Sequence, residues 1–346
     1  MSERRIYLDR APGVSRGVVT LDGRPERLLI RRDDEDPRLM LQARTAARVE
    51  SLEPALATAF LDLGDGMEAI LPFRPEERPV RGAMLEVEIR AEPHRGKLAV
   101  ARALGPGEGA PRLLAPPPEL AETLRGYARD AELVEGRRAR DMADEAEAEA
   151  LETLHPLPGG GNLAIEPTRA LTAIDIDLGE RKGTDGKRAA RAANLAALAA
   201  AGRLLRLKSL GGLVVIDLVG RGHDGNALMA AARAAFGPDN PGVAIGPVGR
   251  FGAMELSLPR RMRPLAERLC REDGAPNDRT LAERLVRRLE AEGQAQAGAR
   301  LTGRCEPGVA KAAEPLVKLL AERMGGRFAL IPEPAFSRER LEVAAA

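Results

Sequence analysis

Two apolar, strand-like segments lie on either side of a long alanine-rich helical segment, and each of them carries an aspartate. Asp175 lies in Leu171–Asp177, and Asp217 is the only polar residue of Leu213–Val219. The segment between them, Lys187–Leu207, has the leucine spacing of an amphipathic helix. A strand–helix–strand connection of this length can place two parallel strands side by side. The sequence therefore predicts an α/β unit of two or three layers, with both aspartates at one edge of its sheet.

The two aspartates also indicate a chemistry. A carboxylate that is buried alone in an apolar strand is costly, so it requires a metal ion or an arginine beside it. Two neighbouring carboxylates are ligands that Mg²⁺ prefers, and Mg²⁺ held in this way supports phosphodiester hydrolysis. The alternative is that Asp175 and Asp217 are ion-paired or capping residues that bind no metal.

Short strands are predicted before this unit. Residues 5–9 and 16–32 alternate as strands do, and Asp22-Gly23 predicts a hairpin turn. The five strand-like segments that follow are typical of an OB-type barrel that binds single-stranded nucleic acid, although a generic small β-domain fits equally well. These five segments are Ala43–Leu52, Leu56–Leu63, Met67–Phe73, Met84–Arg90 and Lys97–Ala103.

The rest of the chain is predicted as a linker, two helices and a small α/β tail. One helix of the tail carries a stripe of three leucines, which either packs on the tail's own strands or pairs two chains. The stripe consists of Leu281, Leu285 and Leu289. The predicted segments are the Pro/Gly-rich linker Gly105–Pro118, helices Pro118–Leu133 and Arg137–Leu154, and then helix Asp278–Glu292, strand Ala299–Cys305, helix Val309–Met324 and strand Arg327–Pro332.

Composition excludes several classes of protein. The charges of the 53 basic and 52 acidic residues nearly cancel, so the net charge of the chain would not attract RNA. RNA binding would instead need a local patch of basic residues. With 6 Phe, 2 Tyr and no Trp, an aromatic-rich carbohydrate site is excluded. Two cysteines and no long apolar run favour a cytoplasmic protein that does not span a membrane.

Several runs of the sequence resemble the catalytic core of the ribonuclease E/G family in both order and spacing. The core runs are Ala170-Leu-Thr-Ala-Ile-Asp-Ile-Asp, Asn194, Leu210-Gly-Gly-Leu-Val-Val-Ile-Asp and Gly249-Arg-Phe-Gly-Ala-Met-Glu-Leu. Leu157-Pro-Gly-Gly-Gly-Asn-Leu-Ala-Ile-Glu resembles the family's lead-in strand, and residues 48–64 resemble its OB-type RNA-binding insert. The resemblance is weakest over 104–156 and in the tail.

The resemblance implies an α+β and α/β multi-domain fold. An OB-type β-barrel at 39–104 would be inserted in a ribonuclease-H-like scaffold at 1–38 and 105–165. A DNase-I-like catalytic core at 166–265 and a small α/β domain at 266–346 would follow.

The resemblance also implies a function. It predicts an endoribonuclease that cleaves single-stranded RNA, requires Mg²⁺ with Mn²⁺ as a substitute, and leaves 5′-phosphate products in rRNA processing or mRNA decay. The first alternative is a catalytically weak or inactive RNA-binding or ribosome-associated factor of the same fold. A scaffold or interaction protein is a further alternative, disfavoured by the position of Asp217 in an apolar strand.

The family's site residues map onto this sequence one by one. Asp175 and Asp217 would hold the metal, and Arg250 would contact the scissile phosphate. Asn194 matches a helix position that faces the site. In the barrel, Phe60 matches an RNA-stacking aromatic, and Lys97 matches a basic position at the last strand.

The chain also departs from the family. Asp177 replaces the usual asparagine after the first aspartate, Gly220 replaces an acid after the second, and Ile70 replaces a second barrel aromatic. The stretch after the barrel is too short for the family's 5′-monophosphate sensor, so 5′-phosphate and 5′-hydroxyl RNA should be cut alike. Only Cys270 lies near the family's zinc link, which predicts no zinc and either a monomer or a metal-free homodimer.

Other features near the predicted edge have two interpretations. The Gly-rich basic loop 179–188 lacks the phosphate-loop order but suits an RNA phosphate at a helix start, and Arg188 and Arg191 share the face that follows it. His223, six residues after Asp217, is either structural or an auxiliary site residue. His94 and His155 are predicted in a solvated turn and a loop.

Overall fold

The computed structural model describes residues 3–179, 186–238 and 240–345. Its architecture is mixed α/β, with a closed, OB-like barrel among its four sheets. The strands are β1 (Arg4–Ala11), β2 (Val14–Leu21), β3 (Arg24–Arg32), β4 (Arg44–Glu53), β5 (Thr58–Gly64), β6 (Met67–Pro72), β7 (Met84–Ala91), β8 (Ala99–Pro106), β9 (Arg112–Ala115), β10 (Leu133–Val134), β11 (Leu154–Pro156), β12 (Asn162–Pro167), β13 (Thr172–Asp177), β14 (Gly212–Asp217), β15 (Ala244–Val248), β16 (Ala253–Leu258), β17 (Leu301–Cys305), β18 (Phe328–Pro332) and β19 (Glu342–Ala345). The helices are α1 (Leu120–Tyr127), α2 (Arg137–Leu151), α3 (Gly186–Leu207), α4 (Gly225–Phe236), α5 (Leu265–Leu269), α6 (Asp278–Ala295) and α7 (Pro307–Met324).

The N-terminal sheet has the strand order β10-β1-β2-β3. Asp22 and Gly23 both have positive φ, 51° and 80°, which is the geometry of a two-residue hairpin turn, so the predicted hairpin is confirmed. Strand β10 pairs in parallel with β1, although the whole barrel separates the two in sequence. The sheet is therefore completed by residues that follow the barrel.

The barrel follows the order β5-β6-β8-β7-β4-β9, and a further β4–β5 pairing closes it. All five predicted strands are present, and small or aliphatic side chains fill the interior. The predicted linker 105–118 is wrong in part, because β9 pairs with β4 and Leu113 packs against the barrel core. Glycines and prolines on both sides of this short strand obscure its pattern.

The central sheet has the order β11-β12-β13-β14-β16-β15. Strands β13 and β14 are neighbours and parallel, as predicted, and apolar residues of α3 and α4 join their buried side chains in one core. His155 lies in β11 and is 5% exposed, so its prediction as a loop residue is wrong. Because β11 has only three residues and ends in a proline, its sequence shows no alternation of apolar and polar residues from which a strand could be predicted.

The tail forms the sheet β18-β17-β19 with α6 and α7 packed on it. Leu281, Leu285 and Leu289 are each at most 1% exposed and belong to the tail's own core. Of the two interpretations of this stripe, packing within the tail is therefore the correct one. Among the described residues, no helix is long and apolar enough to cross a membrane.

Candidate active site

Asp175 and Asp217 are direct neighbours across the two parallel strands of the central sheet. They are register partners in the β13–β14 pairing, so their side chains leave the same face of strands about 5 Å apart. Neither carboxylate forms a hydrogen bond or ion pair within the described part of the chain. Two adjacent carboxylates without a cationic partner repel each other, and a divalent cation would relieve that repulsion.

The expected burial of these aspartates is wrong. Asp175 and Asp217 are exposed, because they occupy the face of the sheet opposite to α3 and α4. Their apolar neighbours Ile174, Ile176 and Ile216 point the other way, into the core. An apolar strand with one acid is thus compatible with a solvent-facing acid, since strand side chains alternate between faces.

Asp177 lies on the same exposed face, two residues after Asp175. One of its carboxylate oxygens accepts a hydrogen bond of 3.0 Å from the backbone N–H of Gly179. The residue that replaces the family's asparagine is therefore engaged in turning the chain after β13.

Asn194 is inside the protein rather than on the surface of the site. It is 1% exposed, and its side-chain amide donates to the Val219 carbonyl oxygen at 3.0 Å while its oxygen accepts from the Val219 N–H at 3.1 Å. No exposed surface of Asn194 is offered at the site, and its role in substrate binding stays a prediction. Both polar groups of Asn194 instead hold the backbone that follows Asp217.

The chain leaves β14 through a glycine-rich loop. Gly220 has a φ of +93°, and a Cβ there would lie 2.9 Å from the Cβ of Ala190. The loop thus excludes a side chain where the family has an acid. His223, farther along, has a buried Nε2 that packs over Gly252 and has no hydrogen-bond partner among the described residues.

Arg250 and Phe251 form the tip of the turn that connects β15 and β16. The Gly252 N–H donates to Gly249 at 3.0 Å, and the Gly249 N–H donates to Ala253 at 2.8 Å. The guanidinium of Arg250 lies 4.5 Å from the centroid of the Phe251 ring. The turn is joined to the exit of β14, since the Leu218 N–H donates to the Gly252 carbonyl at 3.2 Å.

The predicted phosphate contacts on α3 are only partly described. Residues 180–185 of the predicted basic loop lie outside the described residues. Arg191 forms an ion pair of 3.2 Å with Asp224, whose other oxygen caps the start of α4. Arg188 lies exposed in the first turn of α3.

The barrel residues are separated from this edge. Phe60 is 36% exposed on the outer face of β5, directly across from Ile70 of β6. Lys97 is exposed in a turn before β8 rather than within the last strand. This turn faces the starts of β13 and β14, in a cleft of about 560 Å³.

His94 in the same turn is not solvated as predicted. Its Nε2 lies 2.8 Å from a nitrogen of Arg260, and both burial and this guanidinium lower the pKa of His94. Next to it, Arg95 forms an ion pair with Glu267 at 3.0 Å. The turn therefore fastens the barrel to the core.

Metal ligands other than the two aspartates are sparse. Across residues 3–179, 186–238 and 240–345, no three His, Cys, Asp or Glu side chains converge as a metal cluster would. Both cysteines are free, and burial raises the pKa of Cys270 and raises that of Cys305 to about 11. The two aspartates thus supply oxygen donors, the ligand type that hard divalent cations take.

Comparison with known proteins gives sequence matches over the part of the chain that holds Asp175 and Asp217. A sequence profile described as "Ribonuclease E/G family" matches residues 117–261. The segment 117–261 belongs to the ribonuclease E/G family. It contains β13, β14, α3 and the β15–β16 turn, and it also includes residues 117–156, where the resemblance in sequence is weakest.

Curated relatives match the ribonuclease E/G segment at moderate identity. Ribonuclease E of Buchnera aphidicola (subsp. Acyrthosiphon pisum, strain APS) is 38% identical over 114 residues, which is 32% of this chain and 13% of the relative. Ribonuclease E of Haemophilus influenzae is 36% identical over 146 residues, 39% of this chain and 16% of the relative. Ribonuclease G of Escherichia coli K12 is 28% identical over 126 residues, 36% of this chain and 26% of the relative. The match thus spans only a minor part of each relative's length.

Two features of the ribonuclease E/G segment could not be predicted from the sequence. The carbonyl and N–H of Val219 bind Asn194 across 25 residues, and no local pattern reveals such a contact. The 83% exposure of Phe251 could not be predicted either, because a single aromatic residue in an apolar strand region is usually buried. A glycine on each side of Arg250-Phe251 is the one local indication of an exposed tip.

Proposed function

We propose that this chain is a Mg²⁺-dependent endoribonuclease that cleaves single-stranded RNA to give 5′-phosphate products and acts in the cytoplasm, in rRNA processing or mRNA decay. The observation that carries the proposal is the register pairing of Asp175 with Asp217 on adjacent parallel strands, both exposed and without a cationic partner among residues 3–179, 186–238 and 240–345. Membership of segment 117–261 in the ribonuclease E/G family supports the same class of reaction.

The residues around the pair suit a polyanionic substrate. Arg250 is exposed on the β15–β16 turn, and Arg188 and Arg191 lie on the first turns of α3. These three arginines would contact phosphates of the RNA backbone. Phe60 and Lys97 of the barrel would bind the RNA farther along its length.

Asp175 and Asp217 would hold the magnesium ion, with Asp177 nearby as an auxiliary acid. When bound, Mg²⁺ supplies charge neutralisation at the phosphate and lowers the pKa of water. Asn194 acts as a positioning residue by holding the backbone that follows Asp217. Zinc has no role in the proposed site, and the active unit is a monomer or a metal-free homodimer.

A second function is favoured by one specific observation. The positive φ of Gly220 and its closeness to Ala190 leave no room for the acid that the family has there. Together with Ile70 in place of an aromatic, this favours an RNA-binding factor with weak or no cleavage. The two functions share the fold and differ in whether the aspartate pair supports cleavage of RNA.

Cleavage of a 5′-labelled, unstructured RNA with and without Mg²⁺ tests the proposal. We expect cleavage only with Mg²⁺ or Mn²⁺, and we expect Asp175→Asn and Asp217→Asn to abolish it while RNA affinity stays within about threefold. Each substitution removes a metal ligand and few phosphate contacts. Mn²⁺ binding followed by electron paramagnetic resonance should weaken in both variants.

Glu255 offers a matched control. It is exposed on the same face of the sheet, one pleat away from Asp217, where it pairs in register with Val215. Glu255→Gln should retain cleavage and Mn²⁺ binding. Undiminished cleavage by either aspartate variant would contradict the two-aspartate site, and RNA binding without cleavage by the unmodified chain would favour the second function.

A further inference from the structure

Phe251 stands out among the apolar side chains of the described residues. It is 83% exposed, more than any other large hydrophobic side chain there, in a chain with only six phenylalanines. Exposure of a whole aromatic ring to water is unfavourable, because apolar surface in contact with water raises the free energy of the protein. A ring held in this position is therefore poised to be covered by something else.

A hydrogen-bonded turn holds Phe251 next to the aspartate pair. The turn 249–252 carries two backbone hydrogen bonds, and Gly252 has a φ of +92°, which favours glycine there. Ala253, two residues from Phe251, is the register partner of Asp217. Two residues span at most about 7 Å, so the ring lies within a nucleotide's reach of the proposed metal edge.

The surroundings of the ring fit a nucleotide rather than a protein side chain. Phe251 lines an open cleft of about 820 Å³ between its own turn and the glycine-rich loop 220–225. Arg221 and Arg250 line the same cleft, and Arg250 already stacks on the ring at 4.5 Å. Asn226 adds amide donors and acceptors of the kind that pair with a base edge. Aromatic and guanidinium planes with cationic neighbours are the means by which proteins hold unstacked bases of single-stranded RNA.

We infer that Phe251 is a stacking platform for one unpaired nucleobase of the RNA, next to the phosphate that is cleaved. The inference rests on the proposed function for its substrate, but it assigns a base-binding subsite in the catalytic core itself, apart from Phe60 in the barrel. Single-strand preference follows from it, because a base within a duplex has no free face to offer to the ring.

Binding of a labelled single-stranded RNA is measured in the Asp217→Asn background, so that affinity is read without cleavage. Phe251→Ala should weaken binding about tenfold, equivalent to about 1.4 kcal/mol, and Phe251→Tyr should restore it. Ile331→Ala is the control, since Ile331 is also exposed, at 45%, but lies in the tail. The affinity of the Ile331→Ala variant for the RNA should equal that of the Asp217→Asn protein.

An abasic scan of the RNA identifies the stacked base. One abasic position should weaken binding to the background protein about tenfold and should have no further effect on Phe251→Ala. Because the chain has no tryptophan, Phe251→Trp also provides a single fluorophore that RNA should quench, whereas Ile331→Trp should not respond.

The outcomes separate the inference from the proposed function. Cleavage by the unmodified chain together with unchanged affinity of Phe251→Ala would overturn the stacking role and leave the endoribonuclease intact. Weakened binding by Phe251→Ala without any cleavage would uphold the stacking role and contradict the nuclease. A loss that Phe251→Tyr fails to restore would overturn the inference, because it would show that the loop rather than the aromatic plane is required.

Discussion

At the scale of single residues, burial controls the protonation of His155 in β11. His155 is 5% exposed, and its Nε2 has no hydrogen-bond partner in the described part of the chain. Burial, together with the nearby charge of Lys208, lowers the pKa of His155 to about 4. The ammonium of Lys208 is itself occupied, donating to the Ala150 carbonyl at 2.9 Å at the end of α2. Protonated His155 would therefore face a fixed positive charge.

The pH dependence of stability follows from that shift. Between about pH 6.5 and pH 4 the unfolded chain binds a proton at residue 155 and the folded chain does not. The free energy of unfolding should therefore fall as pH drops through this window, by up to about 1.4 kcal/mol per pH unit from this residue. Urea unfolding of the wild type and of His155→Gln at pH 7, 5.5 and 4.5 measures the effect. Parallel pH profiles of the two proteins would contradict it.

At the scale of elements, the contact between α3 and α4 depends on one glycine. A Cβ at Gly202 would lie 2.5 Å from the carbonyl oxygen of Ala235. Helix propensity alone favours alanine over glycine by about 1 kcal/mol. The close approach of the two helices outweighs this preference, because neither backbone can move without opening the core beneath them.

Gly202→Ala should therefore destabilise the protein by about 1–3 kcal/mol despite its better helix propensity. Gly126 in α1 is the matched control, since a Cβ there meets nothing within 4 Å. Gly126→Ala should leave stability unchanged or raise it by up to about 1 kcal/mol. Thermal and urea unfolding of the two variants measures both changes in stability. Equal effects of the two substitutions would show that packing at Gly202 is not tight.

At the scale of the whole molecule, a buried cluster of charges joins the first sheet to the tail. Arg16 of β2 is 1% exposed and donates to Asp9 of β1 at 2.6 Å. It also donates to Glu147 of α2 at 3.2 Å. Glu147 in turn accepts at 2.8 Å from Arg284 of α6. Segments more than 270 residues apart in sequence are thus held by one network.

Removing one member of such a network leaves its partners buried and unpaired. Arg16→Met should lower the free energy of unfolding by about 3–5 kcal/mol. Arg137→Met is the control, because Arg137 is 91% exposed and pairs only loosely, at 3.7 Å, with Asp141, so its loss should cost less than about 0.5 kcal/mol. Denaturant titration of both variants provides the comparison. A loss for Arg16→Met no larger than that for Arg137→Met would mean that water reaches the cluster.

Local pattern was sufficient for most elements of the barrel and the core and for the resemblance to the family, but it missed the short strands β9 and β11. The Asp22-Gly23 hairpin, the five barrel strands and the β13–α3–β14 unit follow from periodicity and turn residues, which act over a few neighbouring positions. The side-by-side placement of Asp175 and Asp217 follows as well, because a strand–helix–strand connection leaves few alternatives.

Tertiary structure alone decided which way the functional side chains point and what they contact. The aspartates are exposed because α3 and α4 cover only one face of the sheet, and a strand's sequence does not say which face will be covered. Asn194 is hydrogen-bonded to the backbone of Val219. Phe251 is held out of the core by a turn that is hydrogen-bonded to Leu218. Contacts of this kind join residues distant in sequence, so their energies appear only after the chain has folded and no local pattern encodes them.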